Sequence, residues 1–175
     1  MIWETIEDEL KGEFARGYAL AQHMGIHDIR RECKVDGKLL GYDWGDFSDY
    51  GNSSPQEWED ETNYIVCTDE EANELAYDYI VDSLWAFTPS FLAGETGVNE
   101  EVFIALANNG KCESNNDAIM SIIKQSNIQP QHDPLQNFVD SAIDVDGRGH
   151  FIAHYDHNEH EVKVGNKTFY IYSVN

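Results

Sequence analysis

Residues 64–87, YIVCTDEEANELAYDYIVDSLWAF, decide the fold class. Tyr64-Ile65-Val66-Cys67 is a short apolar, β-branched run that reads as a buried strand. Thr68 followed three residues later by Glu71 is a capping box, in which each side chain satisfies a backbone N–H of the other residue and a helix starts. The periodicity beyond it predicts a helix to about Phe87, with Ala72, Leu75, Ala76, Tyr79, Ile80, Ser83 and Phe87 on the apolar face and Glu70, Glu74, Asp78 and Asp82 outside. A strand feeding a helix with no parallel strand after it points to an α+β chain.

Working outward, Ile6, Leu10, Phe14, Ala15, Tyr18 and Ala21 recur at helical spacing from about Glu4 to Met24, with Gly25 as the stop. Residues 35–51 read as irregular or short-stranded: Asp36-Gly37, Gly41, Gly45 and Gly51 form turns among Tyr42, Trp44, Phe47 and Tyr50. Ser54-Pro55 opens a short helical turn. Helices are expected at about Asn99–Asn109, stopped by Gly110, at about Ser114–Gln125 with Ser114 as cap, and from Asp133-Pro134 through Leu135, Phe138, Val139 and Ala142. After Asp146-Gly147-Arg148-Gly149 the pattern turns to strands: Phe151–Tyr155, Glu161–Val164 and Thr168–Val174, with Gly165-Asn166 as a hairpin turn. The expected architecture is a single acidic α+β domain, residues 1–175, of several helices and a small antiparallel sheet with a C-terminal hairpin, the β part forming a sub-lobe from about residue 146.

Charge is the most informative functional feature. The formal net charge is −22, and residues 39–110 hold 16 acids and neither a base nor a histidine, whereas residues 1–38 hold 8 acids and 6 bases. Bases excluded from one region and common in another argue for a local field rather than a uniform acidic adaptation. Such a chain is repelled by nucleic acid and anionic membranes, and its natural partners are basic surfaces. No apolar run spans a bilayer and no signal peptide opens the chain, so a cytoplasmic protein is expected. Cys33, Cys67 and Cys112, odd in number and widely spaced, are expected reduced and mostly buried.

Glu70, Glu74, Asp78 and Asp82 recur every four residues, a step of about 6 Å along a helix, close to every second phosphate of one DNA strand at about 3.4 Å per phosphate. Glu57, Glu59, Asp60 and Glu61 extend this candidate partner-binding surface, supported by Asp43, Asp46 and Asp49. Each like-charged i, i+4 pair costs about 0.2–0.5 kcal/mol, which interspersed lysines would relieve.

His150, His154, His157 and His160, with Asp156, Glu159 and Glu161 nearby, form the second cluster; on a strand His150 and His154 share a face. Imidazole and carboxylate suit zinc, but the spacing matches neither HExxH nor a Cys/His finger, so no metal and no cofactor is expected. Gly147 and Gly149 are expected at positive-φ turn positions with Arg148 pairing a neighbouring carboxylate. No GxSxG, P-loop or local cysteine signature is present, so no catalytic residue is assigned.

The C-terminal segment, Asp146-Gly147-Arg148-Gly149-His150-Phe151 through Tyr155-Asp156 and Glu159 to Phe169-Tyr170-Ile171-Tyr172 and Asn175, resembles the terminal motif of a family of small acidic bacteriophage proteins of unassigned function. Leu135-Gln136-Asn137-Phe138-Val139-Asp140 is similar to the stretch before the C-terminus of ArdA-type antirestriction proteins, acidic DNA mimics that occupy the DNA-binding groove of restriction enzymes. The resemblance implies a DNA-mimicking inhibitor in the host cytoplasm, acting on a basic nucleic-acid-binding host protein of the restriction or CRISPR kind, as a monomer or homodimer. Two alternatives stand beside it: a small metal-binding or hydrolytic enzyme using the C-terminal histidines, and a phage structural or regulatory protein whose acidity serves solubility.

Overall fold

The computed structural model describes residues 15–24, 64–108, 113–126 and 133–174. Among them are seven α-helices and one three-stranded antiparallel sheet, an α+β fold: α1 (Ala15–His23), β1 (Tyr64–Cys67), α2 (Asp69–Asp82), α3 (Pro89–Thr96), α4 (Glu100–Asn108), α5 (Asn116–Gln125), α6 (Pro134–Asp146), α7 (Arg148–Ile152), β2 (His160–Val164) and β3 (Lys167–Ser173). The chain divides into two compact units, residues 1–72 with 152–175, and residues 73–151. No helix among the described residues is long and apolar enough to cross a membrane. The expected elements at 35–51 and 54–61, and the start of the first helix, lie outside the described residues.

In the first unit the strands run in the order β1-β3-β2, so the C-terminal hairpin is completed by a strand from the middle of the chain. Val66 faces Ile171, and Val162 faces Phe169. Directly opposed residues share a sheet face, and this one packs with Val164 against Ala15, Ala19 and Leu20 of α1. Gly165 takes φ 62°, the left-handed value that a two-residue hairpin loop asks of its first residue.

The capping box forms as the spacing predicts: Thr68 N donates to Glu71 Oε2 at 2.8 Å, and Glu71 N donates to Thr68 Oγ1 at 3.3 Å. Glu71 also receives both guanidinium nitrogens of Arg16, at 2.7 and 3.0 Å, while Arg16 Nη1 reaches Val66 O at 2.8 Å. One arginine thus ties α1 to the strand end and to the helix cap. Cys67 is buried, its Sγ donating to Tyr170 O at 3.6 Å; Cys33 and Cys112 lie outside the described residues.

The second unit is helical around Ile80, Leu84, Leu92, Phe103, Ile123 and Phe138. Here the structure departs from expectation in several places. α2 ends at Asp82, not Phe87, and a 3₁₀ turn follows at Leu84–Ala86. The side chain of Asn116 is the cause: it donates to Val81 O at 2.7 Å and accepts from Trp85 N at 3.2 Å, taking both partners of the bond that would continue the helix. α3 lay unread in the sequence; Thr88 caps it by accepting from Phe91 N at 3.3 Å, Pro89 follows the cap, and Gly97 closes it at φ 67°. α5 starts after a 3₁₀ turn at Glu113–Asn115 with Asn115, not Ser114, at its cap position. Asp133 caps α6 through a 2.9 Å bond from Leu135 N, as its Asp-Pro pair predicts.

The strand expected at Phe151–Tyr155 is instead the end of α7 and a turn. Gly147 at φ 79° breaks α6, and the chain re-enters a helix with Gly149 buried inside it rather than at a positive-φ turn. Arg148 Nη1 donates to the side-chain oxygen of Asn73 at 3.0 Å.

Candidate functional site

The carboxylate row lies where its spacing put it. Glu70, Glu74, Asp78 and Asp82 are all exposed on α2, and no basic side chain among the described residues forms an ion pair with any of them. Twelve residues separate the first from the last, about 18 Å of helix. The row also runs against the helix dipole: the first turn carries Asp69, Glu70 and Glu71, which is favourable, but the last turn carries Asp82 and no base. An acid at the negative end of a helix costs about 0.3–1 kcal/mol.

α6 repeats the arrangement, which sequence reading missed. Asp140 and Asp144 are exposed four residues apart, Asp146 closes the helix, and its last turn holds no base. In the helical unit Asn73, Glu74, Tyr77 and Asp78 of α2 and Gln136 of α6 line one open cleft of about 390 Å³. Tyr77 registers the charge on both sides: burial pushes its hydroxyl pKa up, and the carboxylates of Asp133 and Asp78 push it further. Asp133 and Asp78 therefore act on the same hydroxyl. The i, i+4 spacing of Asp140 and Asp144 was visible in the sequence, but the approach of Asp133 to Tyr77 was not. Asp43, Asp46, Asp49, Glu57, Glu59, Asp60 and Glu61 lie outside the described residues.

The histidines do not share a strand face. His150 is exposed on α7, His154 is exposed in the following turn, His157 is exposed at φ 57°, and His160 opens β2. His160 Nε2 lies 3.5 Å from Asp156 Oδ2, and its ring is 4.6 Å from that of His23, a neighbour that no spacing in the sequence points to. Burial lowers the His23 pKa, and the neighbouring His160 lowers it further against a smaller opposing pull from Asp156. Among the described residues no group of three or more His, Cys, Asp or Glu side chains is placed to hold a metal ion.

A second feature of the helical unit is an aromatic cavity of about 300 Å³, walled by Tyr79, Phe87, Phe91 and Phe151 with Asp146 and His150 at its edge. The Phe87 and Phe91 rings are stacked at 5.4 Å, and Tyr79, assigned from the sequence to the buried face of its helix, is 44% exposed here beside Phe151.

No protein-family model, no curated protein and no solved structure matches this chain.

Proposed function

We propose that the protein is an acidic inhibitor that presents its carboxylates, in place of DNA phosphates, to the basic groove of a nucleic-acid-binding host-defence protein of the restriction or CRISPR kind, in the cytoplasm of a bacterial host. The observation that carries this reading is the row on α2: four exposed carboxylates at steps of about 6 Å, with no ion pair to a base among the described residues, continuing into the negative end of their helix. Repulsion along the row and against the dipole opposes folding. A partner that brings bases to the row removes that cost, so the charge does its work in the complex. The acids of α6 widen the same field, and the formal charge of −22 steers encounter with a basic surface.

The test is capture from bacterial lysate on the immobilised chain, washed at low and high salt and then with duplex DNA. The expected outcome is a set of DNA-binding proteins that salt releases and duplex DNA displaces, and that a Glu70→Gln, Glu74→Gln, Asp78→Asn, Asp82→Asn variant captures poorly. Capture of the same set by the variant, insensitive to DNA, would remove the support for the reading.

A further inference from the structure

The aromatic cavity of the helical unit is not used by the carboxylate row, and its construction specifies a ligand. Its lining includes the rings of Tyr79, Phe87, Phe91 and Phe151 together with Asp146 and His150. Phe87 stacks on Phe91 with 21° between the ring planes and lies 6.3 Å from Phe151, which in turn lies 6.2 Å from Tyr79. A fully filled core would bury such a cluster, yet Tyr79 is 44% exposed, and Asp146 and His150 are both exposed.

Three ligand chemistries compete for an aromatic cavity with an acidic edge. A nucleotide or other anion meets Asp146 directly, in a unit whose residues 73–151 hold twelve acids and three bases. A neutral apolar group fits the walls but leaves the Asp146 charge unused. A cation on an apolar stem satisfies both, because the stem packs on the rings while the charge is drawn to the ring faces and to the carboxylate. Arginine fits better than lysine, since its planar, weakly hydrated guanidinium stacks on aromatic faces and offers a fork of donors to a carboxylate.

We infer that this cavity receives an arginine side chain from the basic partner, anchoring the complex that the carboxylate row attracts. The inference rests on the proposed partner being basic, and it adds a specific contact to a field that alone gives steering. Arginine is among the residues that most often dominate interface energetics, and an anchor of this kind supplies the residence time that exposed charges do not.

The experiment titrates the full chain with N-acetyl-L-arginine amide at physiological salt, following the aromatic ring protons by NMR, beside the citrulline analogue, which has the same shape without the charge. Saturable shifts confined to the Tyr79, Phe87, Phe91 and Phe151 rings are expected with arginine and absent with citrulline over the same range. Asp146→Asn should weaken binding by up to about fivefold, the upper end for an exposed ion pair. Tyr79→Leu, which keeps apolar bulk and removes one π face, should weaken it about two- to fivefold. Equal shifts with citrulline, or arginine binding unchanged in Asp146→Asn, would overturn the assignment. If arginine titrates the cavity while lysate capture yields no DNA-binding protein, the arginine pocket stands and the DNA-mimic reading falls.

Discussion

The sheet unit and the helical unit use the same residue types in opposite ways. Among the described residues of the sheet unit, four acids are partnered at home, with Glu70 an exposed exception: Glu71 holds Arg16, Glu159 Oε2 accepts from the Tyr172 hydroxyl at 2.6 Å, Glu161 pairs with Lys163 at 3.0 Å, and Asp156 accepts from Asn158 N at 3.0 Å. In the helical unit Glu74, Asp78, Asp82, Asp144 and Asp146 stand exposed on helix faces and helix ends where their charge is unfavourable. Acids of the first kind maintain the fold, whereas those of the second oppose it slightly and project a field. Removing charge should therefore destabilise one unit and stabilise the other.

The largest effect is expected at Arg16. Its bidentate bond to Glu71 is partly buried, with side-chain exposures of 13% and 30%. Replacing it by Met removes three hydrogen bonds and leaves the Glu71 carboxylate short of its partner, for a loss of about 2 kcal/mol in urea unfolding. A loss below about 0.5 kcal/mol would show that the clasp does not hold the sheet unit together.

Acid should act on the same clasp. Burial raises the Glu71 pKa, but the hydrogen bonds from Arg16 and Thr68 outweigh it, and the net pKa lies below the ordinary 4.5. Over the interval between the two values the unfolded chain binds more protons, so this contribution is complete above 4.5 and is lost as pH falls through the depressed folded value. His23 has the same sign in a higher window: its folded pKa lies below 6.5, so stability falls as pH drops from 6.5 towards that lowered value. Thermal midpoints measured against pH should show two successive losses, the lower one missing in Glu71→Gln and the upper one missing in His23→Gln.

A third, smaller effect belongs to the helical unit. Asn116→Ala leaves Val81 O and Trp85 N without their side-chain partner and should cost about 1–2 kcal/mol. If instead the variant is neutral and α2 gains helicity by circular dichroism, Asn116 is only a helix stop.

Asn116 also shows where the sequence ceases to be legible. The start of α2 is readable because Thr68 and Glu71 are three residues apart, and the start of α6 because Asp133 precedes Pro134. The end of α2 is not, because its terminator lies more than thirty residues downstream of the groups it binds. Two misreadings were local. Thr88-Pro89 and Gly97 are ordinary start and stop signals for α3, whose eight residues lack a clear polar face, and the short Phe151-Ile152-Ala153 run fits strand and buried helix equally. At the site, the α2 row was visible as a four-residue period. Its pairing with α6 and the gathering of Phe87, Phe91 and Phe151 around one cavity needed the tertiary fold.

The smallest expected change in stability accompanies the most direct test of function. Neutralising Glu70, Glu74, Asp78 and Asp82 together removes four charges with little change of shape, and it should leave the fold intact or stabilise it by up to about 1 kcal/mol as the i, i+4 and dipole repulsions vanish. The decisive measurement is the affinity of wild type and this variant for a captured DNA-binding partner across a series of salt concentrations. Weaker binding and a shallower slope of log affinity against log salt are expected for the variant, because fewer charge contacts form. Unchanged affinity with an unchanged slope would make the row an ordinary solvated helix face and contradict its role as a surrogate for phosphates.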